Sequence, residues 1–277
     1  MRPAPVNRAA TAALSAAIVL LALGAGPALA AVANDSVGGA IALSIPATVN
    51  QDTTQANTSD AAETALNANC GAPVVEHGVW YSVTPAADGF YAFDTTASDY
   101  SAGMMLFDGA PTVSSMITCG PGLLIVDLTA NTTYNLLVFG DGLTTATGGN
   151  LVLSTRVATP APDLAVTINK SGSVDRFGTV HLWGTATCTS VDGSGTFLDL
   201  FGQATQRIGR ILITGSFDVS PFTPCDGTPY RWDAYFSGDN GLFAGGKAAT
   251  ISIGTGCTDL CSESFLQATI QLKRNGK

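Results

Sequence analysis

Side chains able to do chemistry are few in this 277-residue chain: two histidines, six cysteines and 21 carboxylates against 12 basic groups. His181 lies inside the run "TVHLWG", two residues before Trp183, so an extended backbone puts both on one face. His77 stands between Glu76 and Gly78. Neighbouring residues of a strand point opposite ways, so Glu76 is badly placed to orient that imidazole. A serine hydrolase needs a nucleophile, an imidazole base and an orienting acid. The Gly-x-Ser-x-Gly elbow is absent, and "DGSGT" at 192–196 is a glycine-rich turn. Both histidines therefore read as packed or rim residues rather than bases. No two acids stand out as a glycosidase pair. "DGLTTATGGN" and "SGDNG" hold Asp and Asn but miss the Asp-x-Asp-x-Asp-Gly calcium pattern. No metal or cofactor site is expected on this basis, calcium at acidic loops being the one alternative kept. No glycine-rich loop follows a strand and opens a helix, which leaves nucleotide binding without support.

Aromatic side chains are the other handle. In "VWYSVT" the alternation sets Val79, Tyr81 and Val83 on one face and Trp80, Ser82 and Thr84 on the other. An exposed Trp80 would suit stacking on a sugar ring. Nearby runs such as "LLIV" and "NLLVF" are apolar on both faces, however, the mark of strands covered on both sides. The long polar segment from Asn34 is available to cover the outer face, so the core reading of Trp80 is preferred, with ligand contact kept as the other option. In "PYRWDAYF", Trp232 shares a face with Tyr230, Ala234 and Phe236 and is expected in a core beside a disulfide. Trp183 differs, because its face-mates are His181, Thr185 and Thr187 while Val180, Leu182, Ala186 and Cys188 make the apolar face. Trp183, with His181 beside it, is the leading candidate for ligand contact.

The elements that would hold these residues are strands. From Val79 onward, runs of four to eight apolar residues are cut by turn formers such as Asp88-Gly89, Asp108-Gly109, Asn131 and Asp141-Gly142. Residues 34 to 69 read as polar loop with one strand-like piece, Ala40 to Ile45, and one short helix within 59–68. "ATPAPD" at 158–163 reads as an extended, poorly hydrogen-bonded linker. Seven further runs follow it, a count that suits an immunoglobulin-sized sandwich. The expected class is all-β, with two antiparallel β-sandwich domains over 31–157 and 164–277.

The first thirty residues carry Arg2 and Arg8, an apolar run from Ala12 to Leu23 and the small-x-small site Ala28-Leu29-Ala30. This is the pattern of a cleaved secretory leader and is too short for a permanent span. Its removal leaves ten basic against 21 acidic residues, a net charge near −11. Such a charge disfavours nucleic acid and anionic membranes as partners. In an oxidising compartment six cysteines argue for disulfides, with fifteen pairings open in principle. The domain division makes Cys70–Cys119 the natural first pair, then Cys188–Cys225 and Cys257–Cys261. A zinc site is a poor competitor, because neither histidine lies near a cysteine cluster. Asn34, Asn57 and Asn131 open Asn-x-Ser/Thr sequons, which matter only in a glycosylating host.

The text "QDTT", Cys70, "VWYSVTP", "DGFYAFDTTASDY", "MMLFDG" and "TTYNLLVFG", in that order over residues 34–157, resembles the bacterial pre-peptidase C-terminal domain. The resemblance implies a jelly-roll sandwich that accompanies secreted enzymes, and a structural Trp-Tyr pair at Trp80 and Tyr81. Here "CGPGLL" follows Cys119 without a carboxylate, which weakens any calcium site carried over from the family. Residues 164–277, through "GTVHLWGTATC", "CDGTPYRW" and "GKAATISIGTGC", are similar to a secreted actinobacterial domain of unknown function. The expectation is a secreted, non-catalytic accessory protein that binds polysaccharide, cell-wall material or a protein. The alternatives are a cryptic hydrolase centred on His181 or paired acids, and a structural or inhibitory exoprotein acting through loops such as Cys257–Cys261.

Overall fold

The computed structural model describes residues 32–57 and 60–275. The segment expected to be a leader, residues 1–30, and the Thr58-Ser59 part of the Asn57 sequon lie outside the described residues. The chain is all-β and divides into two compact units, the first ending at Arg156 and the second running from Val157 to Lys277.

The first unit is a sandwich of two sheets. Its strands are β1 (Ile41–Leu43), β2 (Ala47–Asp52), β3 (Glu76–Val83), β4 (Gly89–Asp94), β5 (Ala102–Asp108), β6 (Met116–Pro121), β7 (Leu123–Leu128), β8 (Tyr134–Gly140) and β9 (Asn150–Val157). One sheet has the order β1-β3-β8-β5-β6 and the other β2-β9-β4-β7. All pairs are antiparallel except β1 with β3. Between the sheets lie Val79, Tyr81, Phe93, Leu136, Leu151 and their neighbours. A second cluster, with Trp80, Phe107, Leu137 and Phe139, sits on the outer face of the five-stranded sheet beneath Leu66 and Val75. The central strands are thus buried on both faces, which is why they read as unbroken apolar runs. The cover is the polar N-terminal segment, including helix α1 (Ala61–Leu66), which Asp60 caps by accepting from the Ala62 and Glu63 N–H groups.

The second unit is one curved nine-stranded sheet whose two layers enclose a single core. Its strands are β10 (Asp163–Ile168), β11 (Ser171–Val174), β12 (Val180–Thr189), β13 (Thr196–Ile208), β14 (Ile211–Val219), β15 (Thr223–Pro224), β16 (Tyr230–Phe236), β17 (Gly246–Cys257) and β18 (Cys261–Arg274). The main path runs β10-β12-β11-β18-β17-β13-β14, with β16 on the free side of β12 and β14 lying beside β16. Trp232, fully buried, shares the core with Phe197, Phe217 and the Cys188–Cys225 bridge, and its Nε1 donates to the Thr167 carbonyl at 3.1 Å. All three expected disulfides form: Cys70–Cys119, Cys188–Cys225 and Cys257–Cys261.

Segment 158–163 corrects the expectation of a weakly bonded linker. The Thr159 N–H donates to Asp259 Oδ2 at 2.7 Å, and the Thr258 hydroxyl donates to the Pro160 carbonyl at 2.7 Å. The Ser262 hydroxyl reaches the Pro162 carbonyl at 2.6 Å. Proline removes a donor but leaves its acceptor, and Thr258 of the Cys257–Cys261 turn and Ser262 just after it supply hydroxyls to those acceptors.

Candidate functional site

The site with the right chemistry forms on the outer face of β12 and β16. Strand β12 alternates as its sequence dictates: Val180, Leu182, Ala186 and Cys188 enter the core, and His181, Trp183 and Thr185 face outward. In β16 the inward set is Trp232, Ala234 and Phe236, which leaves Arg231, Asp233 and Tyr235 outside. The antiparallel register sets His181 opposite Tyr235, Trp183 opposite Asp233 and Thr185 opposite Arg231. Directly opposed side chains are close enough to touch, and His181 does meet Tyr235.

His181 is the hinge of this constellation. Its ring lies flat on Tyr235, with centroids 4.2 Å apart and planes 4° apart, and it meets Trp183 at 4.9 Å. Its Nε2 is 2.7 Å from Asp233 Oδ1, and Arg231 Nε lies 3.8 Å from the other carboxylate oxygen. Tyr235 is 69% exposed, and Trp183 is half-buried. Beside Trp183 is an open depression of about 440 Å³ lined by Thr167, Ile168, Asn169, Gly184, Thr185 and Arg231. It therefore joins one aromatic wall to two hydroxyls, an amide and a guanidinium. The Thr167 and Thr185 hydroxyls are 2.7 Å apart, and the Asn169 N–H is fixed by the Trp183 carbonyl at 2.8 Å. Such a surface can stack a ring and bind its hydroxyls.

The sequence singled out Trp183 and His181 from face-mates alone, but it could not find Asp233, Arg231 and Tyr235 as their partners. Their outward facing was legible in the alternation of "PYRWDAYF"; the pairing of β16 with β12, about fifty residues apart, was not. Trp80, kept as a contact option, is corrected to core: it is 3% exposed. Its indole Nε1 donates to Glu63 Oε1 at 2.6 Å, and Asn34 brackets its backbone through bonds to both the Trp80 N–H and its carbonyl. Glu63 itself is buried, and that desolvation, together with the nearby Asp60 and Asp35 charges, pushes its carboxyl up to about 7 against the pull of the Trp80 bond. The buried, bonded Asn34 side chain is also closed to glycosylation in the folded chain.

His77 lies in a bulge of β3, at φ 52°, with Nδ1 3.0 Å from the Ala56 carbonyl. The two Asp/Asn loops are turn anchors: Asp141 accepts from Ser101 Oγ and the Leu143 N–H, while Asn240 bonds to the Thr214 N–H and Leu212 carbonyl. Among the described residues no three His, Cys, Asp or Glu side chains converge to hold a metal. A larger depression, about 800 Å³, lies between Arg176, Phe177, Leu242 and Arg274. There the Arg176 guanidinium already sits 4.5 Å over the Phe177 ring, so that aromatic face is taken.

No family model matches the chain, and no curated protein does. Among solved structures it is similar to a GH2 beta-galacturonidase from Eisenbergiella tayi bound to glycerol, at 10% identity over 83% of this chain and 43% of that one, with a TM-score of 0.22. A beta-glucuronidase from Bacteroides uniformis matches at 8% identity over 70% and 26%, TM-score 0.20. A glycosyl hydrolase family 2 member from Bacteroides cellulosilyticus matches at 7% over 69% and 28%, TM-score 0.23. The chain spans less than half the length of each of these enzymes, and overlaps this loose carry nothing about activity or ligand.

Proposed function

We propose that this is a secreted, non-catalytic binding protein whose contact surface is the outer face of β12 and β16 and whose ligand is an extracellular polysaccharide. The observation that carries the reading is the Trp183–His181–Tyr235 aromatic ladder beside a depression rich in hydrogen-bonding groups. An indole or phenol face suits the apolar face of a pyranose, and the Thr167, Thr185, Asn169 and Arg231 groups suit its hydroxyls. Asp233 holds the imidazole, so the ladder is set before a ligand arrives. Secretion rests on the leader-like Met1–Ala30 and on the three disulfides. The likeness of residues 34–157 to the pre-peptidase C-terminal domain adds an accessory role beside secreted enzymes.

The hydrolase reading starts from the same 2.7 Å His181–Asp233 pair. Two observations favour binding over it. The imidazole is turned toward β16 and stacked there, with Nε2 occupied by Asp233. Ser173, opposite His181 on the β11 side, makes no hydrogen bond to the imidazole; its Oγ accepts from Asn275 Nδ2 at 3.4 Å.

Retention of the oxidised protein on insoluble chitin, cellulose and peptidoglycan tests the proposal, with Trp183→Ala and Tyr235→Ala alongside. Retention on one polymer should fall about tenfold or more in Trp183→Ala, the cost of losing one well-placed aromatic contact, with thermal unfolding unchanged. Release of soluble sugar by the wild type that His181→Ala abolishes would replace binding with hydrolysis. Absence of retention on all three polymers would end the polysaccharide reading.

A further inference from the structure

The outer face of β13, β17 and β18, in the same unit but on different strands from the proposed ligand face, carries an ordered pattern with no role so far. Register aligns its outward side chains in rows across the strands. Phe201, Ile253 and Phe265 form one row, 54%, 37% and 60% exposed. Gln203, Ile251 and Gln267 form the next, and Thr205, Ala249 and Thr269 the one after. Beyond the aromatic row stand Asp199, Thr255 and Glu263, with Asp218 opposite Phe201 on β14. Past the threonine row, two residues further along the strands, stand Arg207 and Lys247. The face therefore runs from an acidic end through a bulky apolar row, a glutamine row and a small-residue row to a basic end. Among the described residues none of these charges is in an ion pair within the chain.

The pattern is symmetric about its glutamine row in a particular sense. On β13, Asp199 and Arg207 lie equally far from Gln203, as do Phe201 and Thr205. On β18, Phe265 and Thr269 flank Gln267, and on β17, Ile253 and Ala249 flank Ile251. A two-fold axis lying in the plane of contact, across the strands along this row, would set Asp199 against Arg207 and each bulky residue against a small one, while Glu263 would meet Gln271 and Lys247 would meet Thr255. The other in-plane axis, along the strands, would set acid on acid. A depression of about 320 Å³ lined by Ala249, Ile251, Gln267 and Thr269 waits where the bulky row of a second copy would fall.

We propose that a second copy of this chain packs on this face through that two-fold axis, with Asp199 against the partner's Arg207 and Phe265 over the partner's Thr269. Such an isologous contact closes and leaves no open end for a filament. Its size is that of weak, transient contacts. Eight residues at about 3.4 Å by four strands at about 4.8 Å, β14 beside β13 being the fourth, give roughly 500 Å² a side. A total near 1,000 Å² is at the lower limit of specific interfaces, so the dimer is reversible, with a dissociation constant in the micromolar range.

Sedimentation equilibrium of the full oxidised chain, from about 1 to 500 μM, is the test, with near-ultraviolet circular dichroism to confirm each variant is folded. The wild type should pass from monomer to dimer mass over this range. Phe265→Lys should weaken association about thirtyfold or more, as loss of a central anchor does. Asp199→Arg and Arg207→Asp should each weaken it about tenfold, turning attraction into repulsion at a rim pair. The double variant Asp199→Arg/Arg207→Asp should restore association, and within one chain the two sites are about 27 Å apart, so restoration comes only from the partner. A monomer at every concentration, or a dimer indifferent to Phe265→Lys, overturns the proposal. Single reversals that weaken a dimer the double variant does not rescue overturn its two-fold arrangement.

Discussion

Glu63 is the residue whose chemistry most departs from its ordinary behaviour. Burial against Trp80 lifts its carboxyl from 4.5 to about 7, while in the unfolded chain it returns to the ordinary value. The folded state thus binds the proton more tightly, so stability falls as pH rises from about 4.5 and stops falling above about 7. Two and a half pH units at 1.36 kcal/mol each set the loss on the order of 3 kcal/mol. Glu63→Gln keeps an acceptor for the Trp80 indole and cannot ionise. We expect wild type and Glu63→Gln to unfold at similar temperatures near pH 5, and the variant to be several degrees more stable at pH 8. Trp80 is the sole tryptophan of the first unit, so its fluorescence reports this transition separately. Equal unfolding temperatures at pH 8 would mean that Glu63 ionises without cost. Of this arrangement the sequence showed one half: strands apolar on both faces announced that Trp80 would be covered. That a carboxylate would be the cover's contact was not legible, because Glu63 reads as a helix-surface residue in "SDAAETALNA" until the helix is laid on the sheet.

At the scale of elements, strand β12 holds the proposed ligand face, and a glycine sets its spacing to its neighbours. A Cβ on Gly184 would stand 2.0 Å from the Thr167 carbonyl oxygen of β10 and 2.7 Å from the Trp232 ring of β16. Neither backbone carbonyl nor buried indole can yield, so Gly184→Ala should destabilise the second unit by about 2 kcal/mol or more. Urea unfolding followed by the fluorescence of Trp183 and Trp232 together measures this, and an unchanged midpoint would show that β10 shifts freely. Trp183→Ala, one residue away on the other face, should leave the same midpoint within about 0.5 kcal/mol. That contrast separates positioning from contact on one strand. Strand existence was widely legible here: period-2 alternation in "TVHLWGTATC", "YRWDAYFS" and "GKAATISIG" gave both strands and faces. Strands without that signal were missed. Thus β2, "ATVNQD", and β11, "SGSV", are polar or glycine-containing and become strands only because β9 and β18 offer them hydrogen bonds. Which strands pair was not legible at all, and the candidate site depends on that pairing.

At the scale of the whole molecule, each disulfide closes within one unit, and the segment read as a linker belongs to the second. Loop-closure entropy favours the long bridges: separations of 49 and 37 residues correspond to about 4 kcal/mol each, and the separation of 4 in Cys257–Cys261 to about 2 kcal/mol. The small bridge does more by geometry, since it presents Thr258 and Asp259 to the backbone of Thr159 and Pro160. The consequence is a boundary different from the one the prolines suggest. A fragment over 157–277 should fold cooperatively with its two disulfides formed. A fragment over 163–277, cut where the first apolar run begins, loses the bonds to Thr159, Pro160 and Pro162 and the buried Ala158. At about 1 kcal/mol per bond it should be some 3 kcal/mol less stable, read as a lower urea midpoint with the slope unchanged. Reducing Cys257–Cys261 in the longer fragment should move its midpoint toward that of the shorter one, because the turn that grips the segment is then free. Identical midpoints for the two fragments would return 158–162 to the status of a tether, and the hydroxyl-to-proline-carbonyl bonds would then count for nothing in holding the unit together.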